Sequence, residues 1–401
     1  MRPAPSHRPP RSTRPLAGRR LALGALAGGL LLPRLAAAAP ALRVGPGRRF
    51  ERLADAARAA RDGDLIEVDA GDYRGDVAVF TQRRLTLRAV GGRVRLVADG
   101  QAAEDKAIWV LRGGEFEVSG FDFEGCRVPS RNGAGIRFES GRLLAHDCRF
   151  LGNEMGLLTS NDPEAELVVD GCEFAYNQRP DGHDHQLYAG TIRALEVRAS
   201  YLHHASIGHL LKSRAAHNLI LHNRLTDEAG GRASYELEFP NGGVAVVVGN
   251  LIQQNRQTEN PIMISFGIEG WRGPRHALVL VHNTLVDELG GGSRFLRVAE
   301  GSGVELMAVN NLLCGDAEPL QAAGTGDWRH NPRVERRAFA DADAYDYRPA
   351  DARAVPADAV ACGRFDGLEL APRVEYRHPR GLAPLARGAR RAGALQQTAH
   401  A

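Results

Sequence analysis

The chain has 401 residues, 43% of them hydrophobic, enough to bury a continuous core. Forty-six glycines against 6% aromatics favour many tight turns over a few long helices. Lys and Arg number 51 against 48 acidic residues, and much of the basic surplus sits at the two ends, so the middle lacks the positive field that grips nucleic acid and no nucleic-acid partner is expected.

Residues 1–39 read as an export signal, with arginines between positions 2 and 20, an apolar run over 21–32 and small residues over 36–39. Arg19 and Arg20 stand directly before the apolar run and resemble a twin-arginine signal. A run of about twelve residues falls short of the roughly 20 that span a bilayer. Removal of the signal, no stable membrane insertion afterwards, and a periplasmic or secreted mature chain are therefore expected.

Residues 50–75, FERLADAARAARDGDLIEVDAGDYRG, place Phe50, Leu53, Ala57 and Ala60 near helical spacing. The pattern predicts a short amphipathic helix able to cover the open end of a β stack. From residue 116 to 313 one phrase recurs eight times: FEVSGFDF, LLAHDCRF, LVVDGCEF, LEVRASYL, NLILHNRL, VAVVVGNLI, LVLVHNTL and ELMAVNNLL. Its small or polar position falls at Phe121, Cys148, Cys172, Ser200, Asn223, Asn250, Asn283 and Asn311, with gaps of 23 to 33 residues. Two positions on stand Phe123, Phe150, Phe174, Leu202, Leu225, Ile252, Leu285 and Leu313, all apolar. A repeat of this length predicts stacked coils whose strands pair with the coils above and below, with loops of variable length leaving the stack.

The four asparagines form a ladder at one turn, where stacked amides satisfy buried groups and Asn tolerates a left-handed backbone. They are assigned to structure. Five cysteines leave at least one unpaired, and Cys126, Cys148 and Cys172, lying in the repeats without a C-x-x-C pair, read as small core residues.

On these repeats and the opening unit at 50–75, the chain resembles the pectate-lyase-like superfamily, which implies an all-β, right-handed parallel β-helix over residues 40–362 with an N-terminal capping helix. Residues 346–361, DYRPADARAVPADAVA, resemble a closing coil. Residues 363–401 are expected as a tail, frayed from about 379. The fold carries lyases, hydrolases, epimerases and adhesive proteins alike, so function has to come from the site.

The densest polar chemistry lies in residues 181–241. If GHLLKSR is a strand, Lys212 and Arg214 share one face and His209 takes the other. In SYELEF, Glu236 and Glu238 share a face, about one coil beyond Lys212 and Arg214, which predicts Glu236 beside Lys212 and Glu238 beside Arg214. One coil earlier, either Asp184, Gln186 and Tyr188 or His183 and His185 face outward, depending on register. Such a wall suits β-elimination on a uronic-acid polysaccharide. Lys212 or a histidine serves as base, Arg214 pairs with the uronate carboxylate, and Tyr188, His185 or His209 protonates the leaving oxygen. His183, Glu236, Glu238 and Asn241 are the expected substrate-binding residues.

Two rivals accompany the lyase, which leaves enzyme status open. Cross-coil ion pairs on a non-catalytic carbohydrate-binding or structural β-helix explain the same charges. A glycoside hydrolase, using Glu236 and Glu238 as its carboxyl pair, or an epimerase also fits. No metal site is assigned, because His183, Asp184 and His185 with His203 and His204 lack a third ligand in register. Calcium would suit a uronate lyase, but no motif for it is recognisable. Residues 253–271 make the longest excursion, and Trp271 either stacks on a sugar or covers the edge of its coil. A monomer acting on polysaccharide is expected.

Overall fold

The computed structural model describes residues 41–179, 181–301, 303–318 and 326–399; the expected export signal lies outside the described residues. Parallel pairing starts at Leu42–Val44 and climbs coil by coil to Arg333–Val334, giving the right-handed parallel β-helix that the repeats imply, of about 10 turns. A typical coil contributes three short strands, such as Met155–Thr159, Glu166–Asp170 and Glu173–Ala175, each pairing with its counterparts in the neighbouring coils. Backbone hydrogen bonds run along the stack axis, so each coil satisfies the next.

The apolar column is the interior. Phe123, Phe150 and Phe174 stack with ring centroids 5.1 and 4.6 Å apart, and Leu202, Leu225, Ile252, Leu285 and Leu313 continue them. Each such side chain gains about 1.5–3 kcal/mol from burial.

The polar column becomes a ladder along one corner. Asn283 Oδ1 accepts the backbone N–H of Asn250 at 2.9 Å and its Nδ2–H at 3.0 Å, while Asn283 Nδ2 donates to Val247 O at 2.9 Å. The pattern runs from Asn223 through Asn311 and on to Asn331. The left-handed backbone falls one residue earlier than expected, on Ala199, His222, Gly249, His282, Asn310 and His330. That residue turns the chain, leaving its successor free to aim inward.

At the N-terminal end the helix forms over Leu53–Ala59. Asp76 accepts the N–H groups of Leu53 and Ala54, satisfying two donors of its first turn, while Leu53, Ala56 and Ala57 pack on the first coil.

The C-terminal part corrects two expectations. The segment read as a closing coil adds no parallel strand; Phe339–Asp341 and Asp346–Pro349 pair antiparallel and pack on the outside of the stack. The tail, described to residue 399, packs on the stack instead of fraying. Phe365 and Leu370 cover the outward valines Val244, Val246 and Val248, Ala394 N–H donates to Thr284 Oγ1 at 2.9 Å, and Arg380 reaches Asp147 at 3.0 Å. The cause is written in VAVVV and ALVLV, strands apolar on both faces that need cover on both.

Replacing Asn283 by Ala removes the acceptor for two donors of Asn250. The free energy of unfolding should fall by about 1–3 kcal/mol, read as a lower midpoint in urea. An unchanged midpoint would show that the ladder adds no net stability.

Candidate functional site

The polar residues between 181 and 241 fall on three consecutive strands of one face, His185–Ala189, His209–Ser213 and Tyr235–Phe239. Here the second residue of each strand is skipped in the pairing: His185 faces His209 and Leu187 faces Leu211, then His209 faces Tyr235 and Leu211 faces Leu237. The chain bends at positions 186, 210 and 236, and Leu210 and Leu211 both enter the core. Alternation is broken, so the first and fourth residues of each strand point outward together. His209 thus joins Lys212 on the outer wall, against expectation. His185 and Tyr188 also face outward, while Gln186 turns in and accepts from Asn177 Nδ2 at 2.6 Å.

The register differs from expectation too. Lys212 pairs with Glu238, because this coil is longer than the 24 residues assumed. Glu236 is not on the wall. It is fully buried, at the strand position that Leu210 and Met263 hold in the neighbouring coils, and neither carboxylate oxygen has a partner among the described residues. Burial, reinforced by Asp227 and Asp287, pushes its pKa well above the carboxylate range. It is a neutral interior acid, so it cannot bind substrate or form a hydrolytic pair with Glu238.

The remaining expected residues assemble. A groove of about 540 Å³ is lined by His183, His185, His209 and Lys212, together with Ser234, Glu259 and Asn260. Lys212 Nζ lies 2.9 Å from Glu238 and 2.8 Å from Glu269. Arg214 donates from Nε to Tyr188 Oη at 2.9 Å and from its two terminal nitrogens to Asn241 Oδ1 and Glu269. Asn241 also donates to the Gly270 carbonyl at 2.8 Å, tying the Glu269 loop to the wall.

The imidazoles are distinguished by their partners. His185 Nδ1 accepts the backbone N–H of His209 at 3.1 Å, which assigns its own proton to Nε2. His209 Nδ1 lies 2.9 Å from Glu238 Oε2, a close contact without hydrogen-bond alignment. Burial, with the nearby charges of Lys212 and Arg214, holds His185 well below the imidazole range. For His209 burial outweighs the pull of Glu238, so it too is lowered and neutral at pH 7. Burial also opposes the Lys212 charge, but Glu238 and Glu269 outweigh it and raise its pKa, keeping it an ammonium.

Glu269 went unrecognised in the sequence because one carboxylate in a glycine-flanked loop carries no spacing signal. Trp271 takes the covering role: its Nε1–H donates to Glu300 O at 3.1 Å and its ring lies 5.5 Å from Phe266. Gly267, at φ +81, leaves room for it, since a Cβ there would stand 2.4 Å from the indole. Two larger clefts, of about 810 and 770 Å³, lie elsewhere, beside the tail strands, and contain none of the wall residues. Among the described residues no group of three or more His, Cys, Asp or Glu is placed to hold a metal ion. His203 and His204 point to another face, where His203 stacks on Tyr201.

No protein-family model matches the chain, and no curated protein sequence matches it. Among solved structures it is similar to the crystal structure of pectate lyase Pel9A, over 76% of this chain and 84% of that one, at 14% identity and a TM-score of 0.49. The fold rests on the strand pairing above, and the function on the site's own side chains.

Glu236 gives a pH test. Its folded pKa is raised, so its contribution to stability is intact below the unfolded carboxyl value, about 4.3, and is lost as pH rises toward the folded value. Glu236→Met, matching its neighbour Met263, should be about 1–3 kcal/mol more stable than the parent at pH 8, with the gap closing toward pH 4. Urea unfolding at both pH values reads this; a gap independent of pH would place the proton elsewhere.

Proposed function

We propose that this protein is an exported polysaccharide lyase that cleaves uronic-acid chains by β-elimination. The observation that carries the reading is one cluster on the wall: His209 Nδ1 lies 2.9 Å from the buried Glu238, Lys212 stands beside it in the groove, and Arg214 is joined to Lys212 through Glu269. β-Elimination needs a base for the proton next to the uronate carboxyl, positive charge for the enolate that develops, and an acid for the leaving oxygen.

His209 Nε2 takes the C5 proton, a role that the raised pKa of Lys212 denies to the lysine. Lys212 and Arg214 hold the uronate carboxylate and stabilise the negative charge that spreads onto it. The C5–H electron pair becomes the C4–C5 double bond as the C4–O bond breaks. His185 Nε2–H, or the Tyr188 hydroxyl, gives the departing oxygen its proton. Export fits a polymer substrate too large to enter a cell, and matches the arginine-led apolar segment at the N-terminus.

The second reading is a carbohydrate-binding β-helix without turnover. It is favoured by one observation: Glu238 and Glu269 already neutralise Lys212 and Arg214.

With a panel of uronic-acid polysaccharides, the mature protein should generate the ultraviolet absorbance of unsaturated uronates. His209→Ala should lower the rate roughly 10²–10⁴-fold while leaving binding largely intact. Lys212→Ala should weaken binding as well as turnover. Binding without absorbance or new reducing ends would establish the second reading; neither binding nor turnover on any member would exclude both.

A further inference from the structure

The two cations of the wall converge on one carboxylate of the protein's own chain. Glu269 Oε1 lies 2.8 Å from Lys212 Nζ, and its Oε2 accepts from a terminal nitrogen of Arg214. One oxygen to an ammonium and the other to a guanidinium is an arrangement that grips a carboxylate as such. Two further donors of Arg214 go to Tyr188 and Asn241, and Lys212 is backed by the buried Glu238.

Within this cluster Glu269 is the exposed member. Its side chain is 41% exposed, against 11% for Lys212, 15% for Arg214 and 2% for Glu238. It sits on a short turn in which Gly270 N–H bonds to Gly267 O at 3.0 Å, with both glycines at positive φ. The charges also leave room for one substitution and no more. Lys212 and Arg214 bring two positive charges, Glu238 and Glu269 two negative, and burial keeps His185 and His209 neutral. Withdrawing Glu269 leaves a single positive charge, which one ligand carboxylate restores.

We propose that Glu269 is an internal stand-in for the ligand's carboxylate: it occupies the carboxylate subsite that Lys212 and Arg214 form on the wall and is displaced when a hexuronate binds. The ligand class rests on the lyase reading above, while the displacement does not require turnover. A neutral sugar cannot replace the lost charge, so Glu269 makes the site selective by competition: it weakens every ligand and penalises an uncharged one most.

The test is calorimetric titration of the full mature protein and its Glu269→Gln and Glu269→Ala variants with uronate oligosaccharides and with the matching methyl-esterified oligosaccharides. Both variants should bind the free uronate roughly three- to thirtyfold more tightly, with little change for the ester, and Arg214→Ala made in the Glu269→Gln background should erase the gain. Thermal unfolding of each variant shows whether the fold is retained. Unchanged or weaker uronate binding in well-folded variants would overturn the stand-in role, and would leave the lyase reading standing if the parent still cleaves. Tighter binding without any cleavage would uphold the stand-in role and remove the lyase. No uronate binding by parent or variants would overturn both.

Discussion

Stacking in register is the constraint on which the molecule depends. A coil of three short strands has almost no hydrogen bonds of its own; its N–H and C=O groups find partners only in the coils above and below, at the spacing the sheets dictate. That spacing can be kept through many coils only if each corner turns the same way. The left-handed residue ahead of each ladder position does the turning, and the ladder side chain bonds to the backbone of its neighbour. A side chain placed on one coil is thereby placed on the next, and rows of chemistry build along the axis.

The groove is such a row, on a face whose strands share one bend. Where the second residue of each strand drops inward, residues three apart in sequence come to share a face, and a wall that would otherwise carry one polar side chain in two gains histidines beside lysine and tyrosine. The same bend sends Glu236 into the core. One backbone feature thus brings His185, Tyr188, His209 and Lys212 onto one wall while burying a carboxyl group at a cost in stability.

The repeat was legible because it rests on side-chain volume and on amide chemistry, both visible in a phrase such as NLILHNRL. The common face of Lys212 and Arg214 was legible for the same reason, since strand periodicity holds beyond the bend. The bend itself was not. It recurs along the face and depends on how successive coils fit together, whereas HLLKS alone looks like an alternating strand. The pairing of Lys212 with Glu238 escaped because loop length, which sets register, is free to vary outside the stack. Glu269 escaped because its meaning comes only from the two cations it meets. The tail could have been anticipated: VAVVV has no polar face, and a strand without one is a strand that something covers.

That cover changes how the molecule holds together. A stack in which each coil touches only its neighbours melts piecemeal, its stability a sum of local terms that any weak coil can interrupt. Here residues near the C-terminus touch Asp147, the valines around 246 and Thr284, positions belonging to separate coils. Those contacts exist only when all the coils beneath them are formed and correctly spaced. The strap therefore works as a splint, converting a chain of independent links into a unit that gives way together.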